Sequence, residues 1–298
     1  MGKILSRLET YQINDLERIS GIKAHTIRIW EKRYNLFTPH RTDTNIRYYD
    51  DEQALKLLNV ASLLEHGYKI SEVAALTADE LKSALEAAAE SGNRDAIVAS
   101  LINDLVASTL VFDEIFFERI FASAVTRLGM YNAILKVIYP FLYKVGIMWS
   151  LNDLASIQEH FATNIIRRKL LAAIDGLVLP GKKGKNFLLL LPPDEWHDIP
   201  LLFSDYIIRA AGYSTVYLGQ NAPIKKLALV LEQTQPNHIL IFYVSRREKE
   251  RIESETELLR RSSSAKLLIG GSRELLTDIK FPTNTGILNS PQDLLAHL

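Results

Sequence analysis

"NFLLLLPPDEWHDIP", residues 186–200, sets an unbroken apolar run against a loop of prolines, acids, a tryptophan and a histidine. A strand buried on both faces requires such a continuous run, whereas a half-exposed strand alternates. Four more short apolar runs follow: "STVYLG" (214–219), "HILIFYV" (238–244), "AKLLIG" (265–270) and "TGILN" (285–289). Helical stretches separate them, among them "LLFSDYIIRAAG" (201–212), "IKKLALVLEQTQ" (224–235) and "REKERIESETELLRRSSS" (247–264). Strands alternating with helical crossovers predict a parallel sheet covered on both faces, and residues 185–298 have the size of a flavodoxin-like, Rossmann-type unit. Ligands of such sheets bind beyond the carboxyl ends of the strands, where the strand order reverses, between the first strand and the third. His197 lies on the loop after the first strand, and "VSRRE" after the third and "IGGS" after the fourth line the same rim.

Upstream, residues 78–178 read as helix throughout. "ELKSALEAAAESGN", "DAIVASLINDLVAS", "VFDEIFFERIFASAVTRLG", "AILKVIYPFLYKVGIMWS" and "DLASIQEHFATNIIRRKLLAAI" each carry the 3.6-residue period, which predicts a helical bundle with a kink at Pro140. "PGKKGK" (180–185) is the linker from the bundle into the sheet domain.

Residues 1–76 differ again. "INDLERISG" places Ile13, Leu16 and Ile19 on one face and stops at Gly21. "HTIRIWEKRY" follows after a short turn with Ile27, Trp30 and Tyr34 on its apolar stripe, so a helix-turn-helix is expected. In "NLFTPHRTDTNIRYYD", Pro39, Thr42, Asp43 and Asn45 mark a turn between two short extended pieces, the wing of a winged helix-turn-helix.

Over the whole chain of 298 residues, 35 basic and 35 acidic side chains cancel, so any attraction to nucleic acid has to come from a local patch. Between Lys23 and Tyr48 lie six basic residues (Lys23, Arg28, Lys32, Arg33, Arg41, Arg47) and two acidic ones (Glu31, Asp43), and that segment is the patch. The absence of cysteine excludes disulfides, thiolate metal sites and a cysteine nucleophile, and it suits the cytoplasm. No apolar run reaches the roughly 18–20 residues of a membrane span.

"TIRIWEKRYNLFTPHRTDTNIRYYDDEQALKL", continued by "LLEHGYKISEVAAL", resembles the MerR family of transcription regulators. The shared features are a recognition helix reading T-[LI]-R-x-[YW]-E, then L-x-x-P-x-R, then R-x-Y before the next helix. The resemblance implies binding to a double-stranded DNA operator as a homodimer. Arg28 and Arg33 are candidates for base edges or phosphates in the major groove, Arg41, Arg47 and Tyr48 for backbone phosphate, and Lys23 belongs to the same basic cluster.

The bundle and sheet together resemble the cobalamin-binding module of corrinoid proteins. Combined with the MerR-like head, they resemble the CarH/LitR group of cobalamin-dependent, light-responsive repressors. In that group the first loop reads E-x-H-x-x-G and its histidine binds cobalt in place of the cofactor's own base. Glu195 and His197 match, while Pro200 stands at the glycine position. "WSLNDLASIQEH" carries Trp149, Glu159 and His160 in the order and spacing of the group's W-x(9)-E-H motif, which implies that they meet the upper face of the cofactor. Ser245 and the pair Gly270 and Gly271 occupy places where the family has a small hydroxyl residue and bare backbone that admits the nucleotide tail. The charge run "SRREKERIESE" stands where an apolar helix start is more usual, and it reads as a solvated helix face.

The expected function is therefore a DNA-binding transcription regulator, not an enzyme, that senses cobalamin, with adenosylcobalamin and light included in what the resemblance implies. His197 is the expected metal ligand, and Trp149, Glu159, His160, Glu195, Ser245, Gly270 and Gly271 complete the cofactor set. Loading of the cofactor is expected to join dimers into a tetramer. One alternative is a regulator whose sheet domain has lost the cofactor and serves oligomerisation or protein contacts. Another is a corrinoid-carrying enzyme module, for which the chain offers neither a substrate barrel nor a Cys-ligated zinc.

Overall fold

The computed structural model describes residues 11–42, 44–91, 94–149, 155–178 and 184–298. The chain divides into two compact units, Met1–Ile165 and Ile166–Leu298.

The first unit opens with α1 (Ile13–Ser20) and α2 (Ala24–Tyr34), the expected helix-turn-helix. Gly21 takes a φ of 76° to end α1, a left-handed conformation that costs glycine little. Glu17 closes the turn: one carboxylate oxygen pairs with Lys23 at 2.9 Å and the other accepts the Ala24 N–H at 2.9 Å. Leu16, Ile19, Ile27 and Trp30 are buried, as their spacing predicts, and Tyr34 is only partly so. β1 (His40–Arg41) and β2 (Arg47–Tyr48) pair antiparallel as the wing. Asp50 then caps α3 (Asp51–Glu65) by accepting the Gln53 N–H at 2.9 Å, and a glycine turn leads to α4 (Ile70–Val73). Tyr49 is fully buried and donates to Glu31 at 2.5 Å, so α2 is tied to the end of the wing.

The bundle consists of α5 (Ala78–Ser91), α6 (Arg94–Leu110), α7 (Glu114–Ala133), α8 (Tyr139–Trp149) and α9 (Ala155–Asp175). The head and the bundle as far as Ile165 share one compact unit, with α3 packed on α6 and α1 on α8. Ser62 of α3 donates to Ser100 of α6 at 2.9 Å inside that contact. Phe117 and Phe141 meet edge to face, 5.7 Å between ring centres, in the bundle core. The distortion expected at Pro140 falls earlier in the chain. Gly129 leaves helical geometry (φ 75°, ψ 157°), and Ile134–Ile138 form a wide π turn. Proline has no N–H for the carbonyl four residues back, and the widened turn just ahead of it absorbs that mismatch.

Two ionisable groups beside this packing carry a pH signature. Burial pushes the Asp104 carboxyl up to about 7 despite a hydrogen bond from Ser100. Burial lowers the Lys144 ammonium to about 8, partly offset by the charge of Glu65, while Lys144 donates to Asn103 at 2.7 Å. An unfolded aspartate titrates near 4, so the Asp104 contribution to stability is present below that pH and is lost as pH rises to about 7. Lys144 acts oppositely, adding stability as pH rises from about 8 toward its unfolded value. Thermal melts should therefore show this unit weakest near neutrality. Asp104→Asn should raise the melting temperature at pH 8 and flatten the acid limb, and an unaltered profile would show that Asp104 does not shape it.

The second unit contains β3 (Asn186–Leu190), α10 (Ile199–Ala210), β4 (Ser214–Gly219), α11 (Ala228–Thr234) and β5 (His238–Tyr243). It continues with α12 (Lys249–Ser262), β6 (Lys266–Gly271), α13 (Arg273–Leu276), β7 (Thr285–Leu288) and α14 (Pro291–Leu295). The five strands are parallel in the order β4-β3-β5-β6-β7, which is the flavodoxin-like arrangement, with its reversal point between β3 and β5. Phe187 to Leu191 are wholly buried, which accounts for the unbroken run in the sequence. Leu188, Leu190, Ile239, Ile241, Leu267 and Ile269 belong to one core cluster, each side chain stabilising the fold by about 1.5–3 kcal/mol.

Candidate functional site

The loop after β3 is built around one buried carboxylate. Glu195 is fully buried, and its Oε1 accepts the His197 Nδ1–H at 2.7 Å, the Ser245 hydroxyl at 2.9 Å and the N–H groups of Trp196 and His197 at 3.1 and 3.2 Å. Its Oε2 accepts the N–H groups of Val244 and Ser245 at 3.0 and 2.7 Å. Burial alone would raise the Glu195 carboxyl, but the hydrogen bonds from His197, Ser245 and Val244 outweigh it and hold the group well below the usual carboxylate range. An ionised carboxylate only accepts, so the hydrogen of this bond sits on His197 Nδ1, and a neutral ring held in this way carries its lone pair on Nε2. The His197 side chain is 49% exposed, at the rim of the crevice where the strand order reverses.

Neighbouring elements hold this loop from several sides. Gln220 donates to the Trp196 carbonyl at 2.6 Å, and the Asn221 side chain accepts the Asp194 N–H at 3.0 Å. The charge run after β5, expected to be a solvated face, is only partly so. Arg247 has a side chain 5% exposed, lies over the Tyr243 ring and donates to the Pro193 carbonyl at 2.7 Å while pairing with Glu255. Arg251 reaches the same carbonyl at 3.2 Å and Asp194 at 2.7 Å. The loop ends at Asp198, which the Arg167 guanidinium grips through both carboxylate oxygens. Pro200 stands in the first turn of α10, where a missing N–H costs nothing.

The other expected cofactor residues are placed differently. Ser245 donates its hydroxyl to Glu195 and lies 3.1 Å from His197 Nδ1. Gly270 and Gly271 do not present open backbone. A Cβ on Gly270 would fall 2.1 Å from the Phe242 ring, and one on Gly271 would fall 2.6 Å from the Tyr243 carbonyl. Glu159 and His160 lie in the first turns of α9, partly buried and exposed respectively. The side chain of Trp149 lies outside the described residues, as do Pro180 to Lys183 of the linker and Asp43 of the wing.

In the head, Arg28, Lys32 and Arg33 project from α2 as exposed residues, opposite the buried Ile27 and Trp30. Lys23 is engaged with Glu17. Arg41 donates to the Asn45 side chain at 2.6 Å and so holds the wing turn, while Tyr48 stacks on His40, which pairs with Asp50 at 2.8 Å. Arg47 is partly buried.

Residues 11–80 match the model of the MerR HTH family regulatory protein, and residues 101–173 match that of the B12 binding domain. The chain is a MerR-type regulator with a B12-binding domain. The HTH-type transcriptional repressor CarH of Myxococcus xanthus is 28% identical to this regulator over 257 residues, 85% of each chain. CarA of the same organism is 28% identical over 293 residues, 96% of each chain. The regulator is homologous to these repressors, which makes it a transcription regulator and not an enzyme. The monomethylamine corrinoid protein of Methanosarcina barkeri is a structural neighbour at TM-score 0.46 and 12% identity, covering 67% of this chain and 94% of that one. Among the described residues no helix is long and apolar enough to cross a membrane.

Proposed function

We propose that this MerR-type regulator acts in the cytoplasm, binds operator DNA as a dimer and senses cobalamin through its C-terminal half, with His197 as the cobalt ligand. The observation that carries the reading is the buried Glu195, which fixes the tautomer and the aim of His197 at the sheet's reversal point. A metal-bound histidine ordinarily has such a partner behind it. Imidazole is a good ligand for late first-row metals, which suits the donor to cobalt. Bound cobalamin supplies a cobalt centre and, in the adenosyl form, a light-labile carbon–cobalt bond.

The chain's own part is to hold Nε2 in one direction. Glu195 and Ser245 engage Nδ1, Gln220 and Asn221 brace the loop from β4, and Arg247 and Arg251 brace it from the start of α12. Trp149, Glu159 and His160 are assigned to the other face of the cofactor on the strength of their shared spacing. Adenosylcobalamin is the proposed form, with light releasing it and a loaded tetramer parting into dimers. Lys23, Arg28, Arg33, Arg41, Arg47 and Tyr48 form the proposed DNA surface.

Reconstitution tests the reading. Protein incubated with hydroxocobalamin and passed over a desalting column should keep a red colour, with corrin bands displaced from those of the free cofactor. Colourless protein would leave the regulator without its proposed ligand.

A further inference from the structure

A groove of about 340 Å³ lies between the reading head and the bundle, walled by the carboxyl end of α1, the last residue of α3, and faces of α6 and α8. That volume suits a small metabolite. Three charged side chains line it, the cations Arg18 and Lys144 and the anion Glu65. Lys144 is half-buried and donates to the side chain of Asn103 at 2.7 Å, an uncharged partner. Among the described residues none of the three charged groups forms an ion pair. An ammonium drawn out of water with no carboxylate beside it is unfavourable, and burial accordingly lowers that of Lys144 to about 8. Apolar surface completes the groove: Ile102 of α6 is partly exposed there, and the neighbouring Tyr143 ring is 74% exposed.

Both signs of charge facing one groove call for a ligand that carries both. A carboxylate answers Lys144 and Arg18, the guanidinium being suited to grip it through two bonds. An ammonium answers Glu65 and the last carbonyls of α1, which carry partial negative charge at a helix end. An apolar body covers Ile102 and the Tyr143 ring. We propose that this groove binds a small amino carboxylate, a free amino acid with an apolar side chain, which spans head and bundle. The site belongs to the first unit alone and does not rest on the cobalamin reading. Gly21, where the chain turns toward α2, forms part of the wall, so the occupant touches the turn that leads into the reading helix.

The test is isothermal titration of the full chain with three probes: L-phenylalanine, phenylalaninamide, which lacks the carboxylate, and 3-phenylpropanoate, which lacks the ammonium. Phenylalanine should bind about tenfold or more tightly than either analogue, the factor that one hydrogen bond to a charged group supplies. Lys144→Met removes the ammonium at similar length, and should weaken phenylalanine by about tenfold and cancel most of its advantage over phenylalaninamide. Glu65→Gln, at an exposed position, should cancel the advantage over 3-phenylpropanoate and leave the advantage over phenylalaninamide in place. Cancellation matched to one probe is the mark of a lost contact, whereas general loosening of the fold weakens all three alike. Far-ultraviolet circular dichroism of the variants controls for folding. Equal binding of the three probes by wild type, binding of none of them, or an advantage that survives both substitutions would overturn the proposal.

Discussion

His197→Ala is expected to weaken cobalamin binding by more than about 100-fold, because it removes the proposed ligand itself, whereas loss of a partner behind a metal ligand typically costs about 10–100-fold. Glu195→Gln separates the two roles without changing size. Glu195 accepts on both oxygens, from His197, Trp196 and Ser245 on one side and from the Val244 and Ser245 N–H groups on the other. A glutamine has one acceptor, so its amide nitrogen must face donors whichever way it is turned. Turned toward His197, it forces the ring hydrogen onto Nε2 and consumes the lone pair that cobalt needs. Turned toward β5, it strands two backbone donors at about 1–3 kcal/mol each. Glu195→Gln should therefore lose affinity or stability, read respectively by corrin titration and by thermal melting. A variant that binds and melts like wild type would show that the carboxylate does not orient the histidine.

Arg28→Ala is expected to cost about 1–3 kcal/mol of operator affinity, roughly 5- to 150-fold, if its guanidinium reads a base, and to lower the salt slope by about 1 if it grips a phosphate. Its exposure on the face of α2 opposite Ile27 and Trp30 leaves it no role in the core. Arg41 should behave differently, since it donates to Asn45 at 2.6 Å across the wing turn. Asn45 has a φ of 64°, so Asn45→Gly keeps the backbone, with its carbonyl 3.4 Å from Arg41, and deletes the closer side-chain partner. If Arg41 acts by shaping the wing, Asn45→Gly should reproduce much of the loss seen in Arg41→Ala. If it acts as a phosphate contact, Asn45→Gly should bind operator normally. Fluorescence anisotropy on a labelled operator across a salt series decides between them.

Much of this architecture could be read from local pattern. The continuous runs at Phe187–Leu191 and in the later strands require a sheet covered on both faces, and short helical crossovers impose the parallel order. The stop at Gly21 and the cap at Asp50 are likewise local chemistry. What stayed hidden depends on neighbours distant in sequence. Arg247 sits in a charge run that reads as solvated, yet it is buried by Tyr243, Glu255 and the Pro193 carbonyl. Two adjacent glycines suggest an opening, and only the strand register puts Phe242 against one of them. Pro140 signals strain, but helix geometry moved the distortion to Gly129 and the turn at Ile134–Ile138. For Glu195, Ser245 and His197, sequence placed the loops at one rim, and only the hydrogen bonds show that Glu195 holds both His197 Nδ1 and the Ser245 hydroxyl.

The packing of α3 on α6, with Ser62 bonded to Ser100 inside it, has a mechanical meaning. A reading head on a loose string could search for either half of a palindrome independently. Here the reading helix belongs to the same solid body as the bundle, as a bit belongs to its key. In the proposed dimer, the distance between two such heads on DNA is then dictated by how two bundles meet. Anything that alters that meeting retunes the operator spacing without touching a single DNA contact.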